Sequence, residues 1–153
     1  MIYLGYTLAF LLTYVLQTTA LAGWALRPEL ILLCLSLCVS GRSYAGLLLG
    51  CATGLFLDVA NGYGFYNTFL YGVAGLLCGF MPVNIFRDLH ALAFVNMMIC
   101  SVWLNVGYAI LTRIFMGQAI FLAPLHYAAV LLLNIIFFHI GAVLLRRKRN
   151  AYD

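Results

Sequence analysis

Catalysis and metal binding need side chains that hold a proton, a metal or a covalent bond, and this chain has few of them. Its acids are Glu29, Asp58, Asp88 and Asp153, and its histidines are His90, His126 and His139. Its cysteines are Cys34, Cys38, Cys51, Cys78 and Cys100. Cys34 and Cys38 stand one helical turn apart, a spacing that suits a metal, but no other cysteine or histidine lies close enough in sequence to complete a set. All five lie inside apolar runs and read as small packing residues. No His-Glu-x-x-His, Walker-type or Gly-x-Gly-x-x-Gly spacing occurs, and no serine has a base placed to activate it. The expectation is a protein that is not an enzyme and holds neither a metal nor a cofactor.

The most patterned stretch runs Gly46-Leu-Leu-Leu-Gly50-Cys-Ala-Thr-Gly54-Leu-Phe-Leu-Asp58. Gly46, Gly50, Gly54 and Asp58 recur at every fourth residue, a spacing that lines one face of a helix and lets another helix approach closely. A second set stands at Gly72, Gly75 and Gly79. Two readings are open: the two glycine faces pack together within the chain, or one of them docks a partner's membrane helix. Asp58 closes the stripe where a helix ends, and there the helix dipole disfavours a negative charge. A compensating group is therefore expected, with Arg27 or Arg113 in reach. The residues after it, Asn61-Gly62-Tyr63-Gly64, suit a turn that Asp58 would fix. Pro28 and Glu29 make a helix start, because proline fits a first turn and an acid favours the positive end. Gln17, Asn96, Ser101, Asn105 and Asn134 are expected to make interhelical hydrogen bonds, and His139 to reach the interface.

The elements that must position these residues belong to a membrane protein. The chain has 153 residues, of which 66% are hydrophobic and 8% charged, whereas soluble domains carry about a quarter charged residues. Several apolar stretches approach the ~20 residues that a helix needs to cross ~30 Å of hydrocarbon. Runs such as Leu30 to Val39 do not alternate as barrel strands would, so helices are expected. The segments are about Ile2 to Ala22 (with Trp24 as interfacial anchor and no cleavage site behind it), Pro28 to Ser40, Tyr44 to Asp58, Phe65 to Met81, Ala91 to Thr112 and Ile120 to Leu145. The second is short for a span. A single tilted helix over 29–58 would give five crossings, but it would bury Arg42 at mid-membrane at a cost of at least ~2.5 kcal/mol. Six crossings are preferred. The fold class is thus all-α integral membrane, with residues 1–145 as one multi-pass domain and 146–153 as a short basic cytoplasmic tail. The positive-inside rule then puts Arg42, Arg87 and Arg146-Arg147-Lys148-Arg149 in the cytoplasm and only Arg27 and Arg113 outside. Such a tail meets anionic membrane lipids. Nucleic acid is not an expected partner.

From Arg27-Pro28-Glu29 through Gly50-x-x-x-Gly54-Leu-x-x-Asp58 to the glycine-rich turn, the chain resembles the bacterial MreD family. In that family the pattern is Gly-Phe-x-x-Gly-Leu-x-x-Asp, with Cys51 here in place of the aromatic. The diagnostic window is 27–80, and the similarity outside it rests on hydropathy. The turn departs from the family, in which proline or leucine often stands near the glycine after the aspartate. The resemblance implies a scaffold of the rod complex, or elongasome, in the bacterial inner membrane, which supports lateral peptidoglycan synthesis and cell shape. Its implied partners are MreC, RodA with its penicillin-binding transpeptidase, and MreB. It also implies a fold similar to the substrate-binding S-components of energy-coupling-factor vitamin transporters. A transporter subunit of that kind is the competing function, although its usual Ala-x-x-x-Ala pair is missing from the first segment. A small channel or exporter would want a polar stripe along one helix, and no clear one is present.

Overall fold

The computed structural model describes residues 2–24, 26, 28–41, 43–62, 64–81, 88–117 and 124–149. Arg27, Arg42, Tyr63, Arg87 and Asp153, which the sequence marks for attention, lie outside the described residues. Among the described residues six helices run in order: α1 (Ile2–Thr18), α2 (Leu30–Val39), α3 (Ser43–Asn61), α4 (Tyr66–Phe80), α5 (Leu89–Met116) and α6 (Pro124–Arg149). Each coincides with one of the expected segments, and the described residues contain no strand. α6 continues past Leu145 through Arg146-Arg147-Lys148-Arg149, so the basic run forms its last turn.

A continuous helix over 29–58 is not what forms. α2 ends at Val39, and Gly41 turns the chain with a φ of 78°, a left-handed conformation that glycine reaches without a Cβ clash. The corner is fixed from outside: the Gly41 N–H donates to the Cys78 carbonyl at 3.2 Å, and Asn96 Nδ2 donates to Ser40 Oγ at 2.9 Å. Polar groups deep in an apolar bundle need such partners, because no water is there to satisfy them.

Among the described residues, three helices contain stretches long and apolar enough to cross a bilayer: Tyr44–Asn61, Leu89–Phe115 and His126–Val143. Their outer faces are rows of large apolar side chains, such as Val102, Val106, Ile110 and Ile114 on α5 and Ile136, Ile140 and Val143 on α6. α1 adds Leu4, Leu8, Leu12 and Val15. Exposed apolar rows on this scale mark a surface made for lipid or for other membrane helices.

α2 is different. Its sequence, LILLCLSLCV, is apolar all round, which is the pattern of a helix with no outer face. Its 10 residues span only about 15 Å. Leu32, Leu35, Ser36 and Val39 are fully buried, and α2 touches each of the other five helices. The bundle is therefore assembled around a half-length central helix.

Candidate functional site

The glycine stripe is used within the chain. α3 and α4 form by far the closest helix pair, and the contact is backbone against backbone. A Cβ on Gly46 would run into the Gly75 carbonyl oxygen, one on Gly50 into that of Tyr71, and one on Gly54 into that of Asn67. Gly75 answers from α4, where a Cβ would strike the Gly46 carbonyl oxygen. Of the two readings of the stripe, internal packing is the one the fold realises. Gly72 is less tightly seated, because its nearest neighbour is the Cys51 sulfur.

Asp58 locks this pair at one end. α4 begins at Tyr66, and its cap residue, Phe65, has no side-chain acceptor for the free amides of the first turn. Asp58, reaching across from the last turn of α3, supplies both of its oxygens. Its Oδ1 accepts from the Asn67 N–H and Nδ2, each at 2.9 Å. Its Oδ2 accepts from the Thr68 N–H at 2.8 Å and from Thr68 Oγ1 at 2.6 Å. Asn67 and Thr68 are the second and third residues of α4, whose amides a helix cap normally serves. The charge that is misplaced at the end of α3 is thus well placed at the positive end of α4. The compensation expected from Arg27 or Arg113 is supplied by this helix start, so the arginines are not needed for it. Tyr108 of α5 joins the same network by donating its hydroxyl hydrogen to Asn67 Oδ1.

The turn that Asp58 fixes passes through Gly62, whose φ of 67° is left-handed and favours glycine. Gly64 is exposed and has no neighbour where its Cβ would stand, so nothing in the packing requires glycine there.

Glu29 lies in a second polar assembly, at the start of α2. Pro28 before it is buried. The Glu29 carboxylate does not cap its own helix but turns towards α5 and α6. Its Oε2 accepts from Ser101 Oγ at 3.0 Å and from Asn134 Nδ2 at 3.4 Å. The free amides of α2 are served by neighbours instead: Asn134 Oδ1 accepts the Glu29 N–H at 2.8 Å, and Gln17 Oε1 accepts the Ile31 N–H at 3.3 Å. Ser101 and Asn134 lie near the centres of the apolar stretches of α5 and α6, so four helices meet at this carboxyl group. A carboxyl group held among apolar helices is a functional candidate by default, since burial without purpose is costly.

The remaining polar residues divide by partner. Tyr6 hydrogen-bonds Thr53 at 2.6 Å, which ties α1 to α3, and Asn96 joins α5 to the α2–α3 corner. Asn105 bonds the Ser101 carbonyl of its own helix. Cys34, Cys78 and Cys100 pack in the core, with the last two sulfurs 3.5 Å apart. His139 is exposed and stacks on Phe94, with ring centroids 5.8 Å apart. Asp58 and Glu29 stand out in the sequence, whereas Asn67, Thr68 and Tyr108 do not show there as partners. The uncapped start of α4, with an acid just ahead of it, is the signal that could have found them. Comparison of the chain with protein-family models, with curated proteins and with solved structures finds no match.

Proposed function

We propose that this chain is a six-crossing, non-enzymatic scaffold of the bacterial inner membrane, of the MreD type, with its C-terminus in the cytoplasm. In this reading it holds MreC beside RodA and the penicillin-binding transpeptidase, under MreB, and so supports lateral peptidoglycan synthesis. One observation carries the reading. Gly50, Gly54 and Asp58, the residues on which the family resemblance rests, act as a single clamp that fixes α3 to α4 and shapes the turn between them. A motif that builds a rigid pair and a fixed turn serves to present a surface rather than to perform a reaction. Because the glycines face inward, partner helices would meet the apolar outer rows of α1, α5 and α6, and a partner outside the membrane would meet the turn at Gly62 to Phe65.

The test is affinity purification of the tagged chain from its native membranes after crosslinking, with the co-purified proteins identified by mass spectrometry. Recovery of MreC and the cell-wall synthase supports the scaffold. Recovery of ATPase subunits with a membrane coupling protein, and no cell-wall enzymes, replaces it with vitamin uptake.

A further inference from the structure

α2 accompanies the bundle over only part of its length. At its start Glu29 meets Ser101 of α5 and Asn134 of α6, near the centres of their apolar stretches. At its far end Ser40 meets Asn96, nearer the beginning of α5. α2 does not enter the other half, where Asp58, Asn67 and Tyr108 join the end of α3, the start of α4 and the second half of α5.

The half-buried Glu29 carboxyl group stands at the border of that half, in electron-rich surroundings. The hydroxyl groups of Tyr71 on α4, Tyr108 on α5 and Tyr127 on α6 all lie within electrostatic range of it. Both hydrogen bonds to the carboxyl group end on Oε2, and Oε1 accepts from none of the described residues. Tyr71 is only 6% exposed, and its hydroxyl makes no hydrogen bond with a described residue. Neither oxygen is sealed in by the packing, so both remain within reach of a ligand.

These groups narrow the chemistry of an occupant. The carboxyl group's described partners, Ser101 and Asn134, are both neutral. A carboxylate held among apolar helices without a cation is costly, and a bound positive charge offsets that cost. A hard metal ion wants six or more oxygens. Here Ser101 Oγ already donates to Glu29 Oε2, and Asn134 Oδ1 and Gln17 Oε1 are taken by backbone amides. No group of three or more metal-ligating side chains occurs among the described residues. An ammonium group needs less: a carboxylate oxygen, a hydroxyl and aromatic rings, whose faces attract positive charge.

We propose that Glu29, with Tyr71, Tyr108 and Tyr127, forms a binding site for a small organic ammonium ion, whose N–H groups donate to Glu29 Oε1 and to the Tyr71 hydroxyl oxygen. The site stands whether or not the chain holds cell-wall enzymes together.

The experiment is thermal unfolding of the full chain in detergent with about 100 mM propylammonium chloride, and with the same concentration of sodium chloride or of n-propanol. One charge-assisted hydrogen bond with aromatic contacts gives a Kd on the order of 10 mM, which raises the wild-type Tm by about 3 °C or more. Sodium chloride and n-propanol do not reproduce the rise. It is lost in Glu29→Gln, which removes the charge and keeps an acceptor for Ser101. Tyr71→Phe lowers it by about half or more. That variant decides the matter if Glu29→Gln does not fold, because the Tyr71 hydroxyl has no hydrogen bond to a described residue to lose. No rise in wild-type protein, or an equal rise with sodium chloride or n-propanol, overturns the proposal. So does a rise of unchanged size in either variant.

Discussion

Asp58 and Asn67 are joined twice through one oxygen: Asp58 Oδ1 accepts both the backbone N–H and the side-chain Nδ2 of Asn67, each at 2.9 Å. The same amide passes the connection on to Tyr108 of α5 through its Oδ1. One carboxylate at the end of α3 thus fixes the start of α4 and, at second hand, a face of α5.

Removing that carboxylate leaves the amides of Asn67 and Thr68 without their acceptor. Asp58→Ala is expected to cost about 2–4 kcal/mol, from a lost cap and buried donors left unpaired. Asp58→Asn, which keeps one acceptor oxygen, should cost less. Unfolding of the purified protein in mixed micelles, with both variants side by side, measures the difference. Wild-type stability and wild-type cell shape in Asp58→Ala would remove Asp58 from any account of this protein.

The glycines should fall into two groups. Gly50→Ala and Gly54→Ala drive a methyl group into a carbonyl of the facing helix and are expected to destabilise by about 1–3 kcal/mol each. Gly5→Ala and Gly64→Ala meet open space and should be close to neutral. Gly72→Ala lies between, because the Cys51 side chain can move aside. An equal effect at all five positions in a thermal-shift series would contradict the helix contact described.

Glu29 and Asn134 should be energetically coupled. The single changes Glu29→Ala and Asn134→Ala each remove one side of a shared set of hydrogen bonds, so their costs should not add. A double-mutant cycle is expected to return a coupling of about 0.5–2 kcal/mol. Coupling within error of zero would mean that the two residues do not meet. Glu29→Gln, which keeps an acceptor for Ser101, should be milder than Glu29→Ala.

Cys78 and Cys100 should resist maleimide in the folded protein and react only after unfolding in strong detergent, since both are fully buried. Rapid labelling of either one in native membranes would show that α4 and α5 are not packed as described.

Much of the fold is legible in the sequence because lipid makes the sequence simple. Long apolar runs broken by Pro28, Gly41 and Gly62 leave few places for helices to start and stop, and all six helices fall on the expected segments. The glycine spacing points to a close helix contact, but by itself it does not say whether the facing helix is in the same chain. What stays hidden are pairings. Glu29 meets Ser101 and Asn134 across separations of 72 and 105 residues, and nothing local marks either residue as its partner. The partner of Asp58 is obscured for a related reason. Charge suggests an arginine, whereas the electropositive group is the start of the next helix, which carries no charged residue.

The central position of α2 also has a consequence for how the protein is made. The amide of Glu29 waits for Asn134, which is translated 105 residues later, a delay on the order of ten seconds at ordinary rates of synthesis. During that time a helix of only 10 residues sits in a half-built bundle, with Gln17 already at hand to accept the Ile31 N–H but the Glu29 N–H still without its acceptor. Asn134 on α6 supplies the missing acceptor. A chain interrupted anywhere before Asn134 would keep an open polar end in the membrane, a mark by which cellular quality control can recognise it.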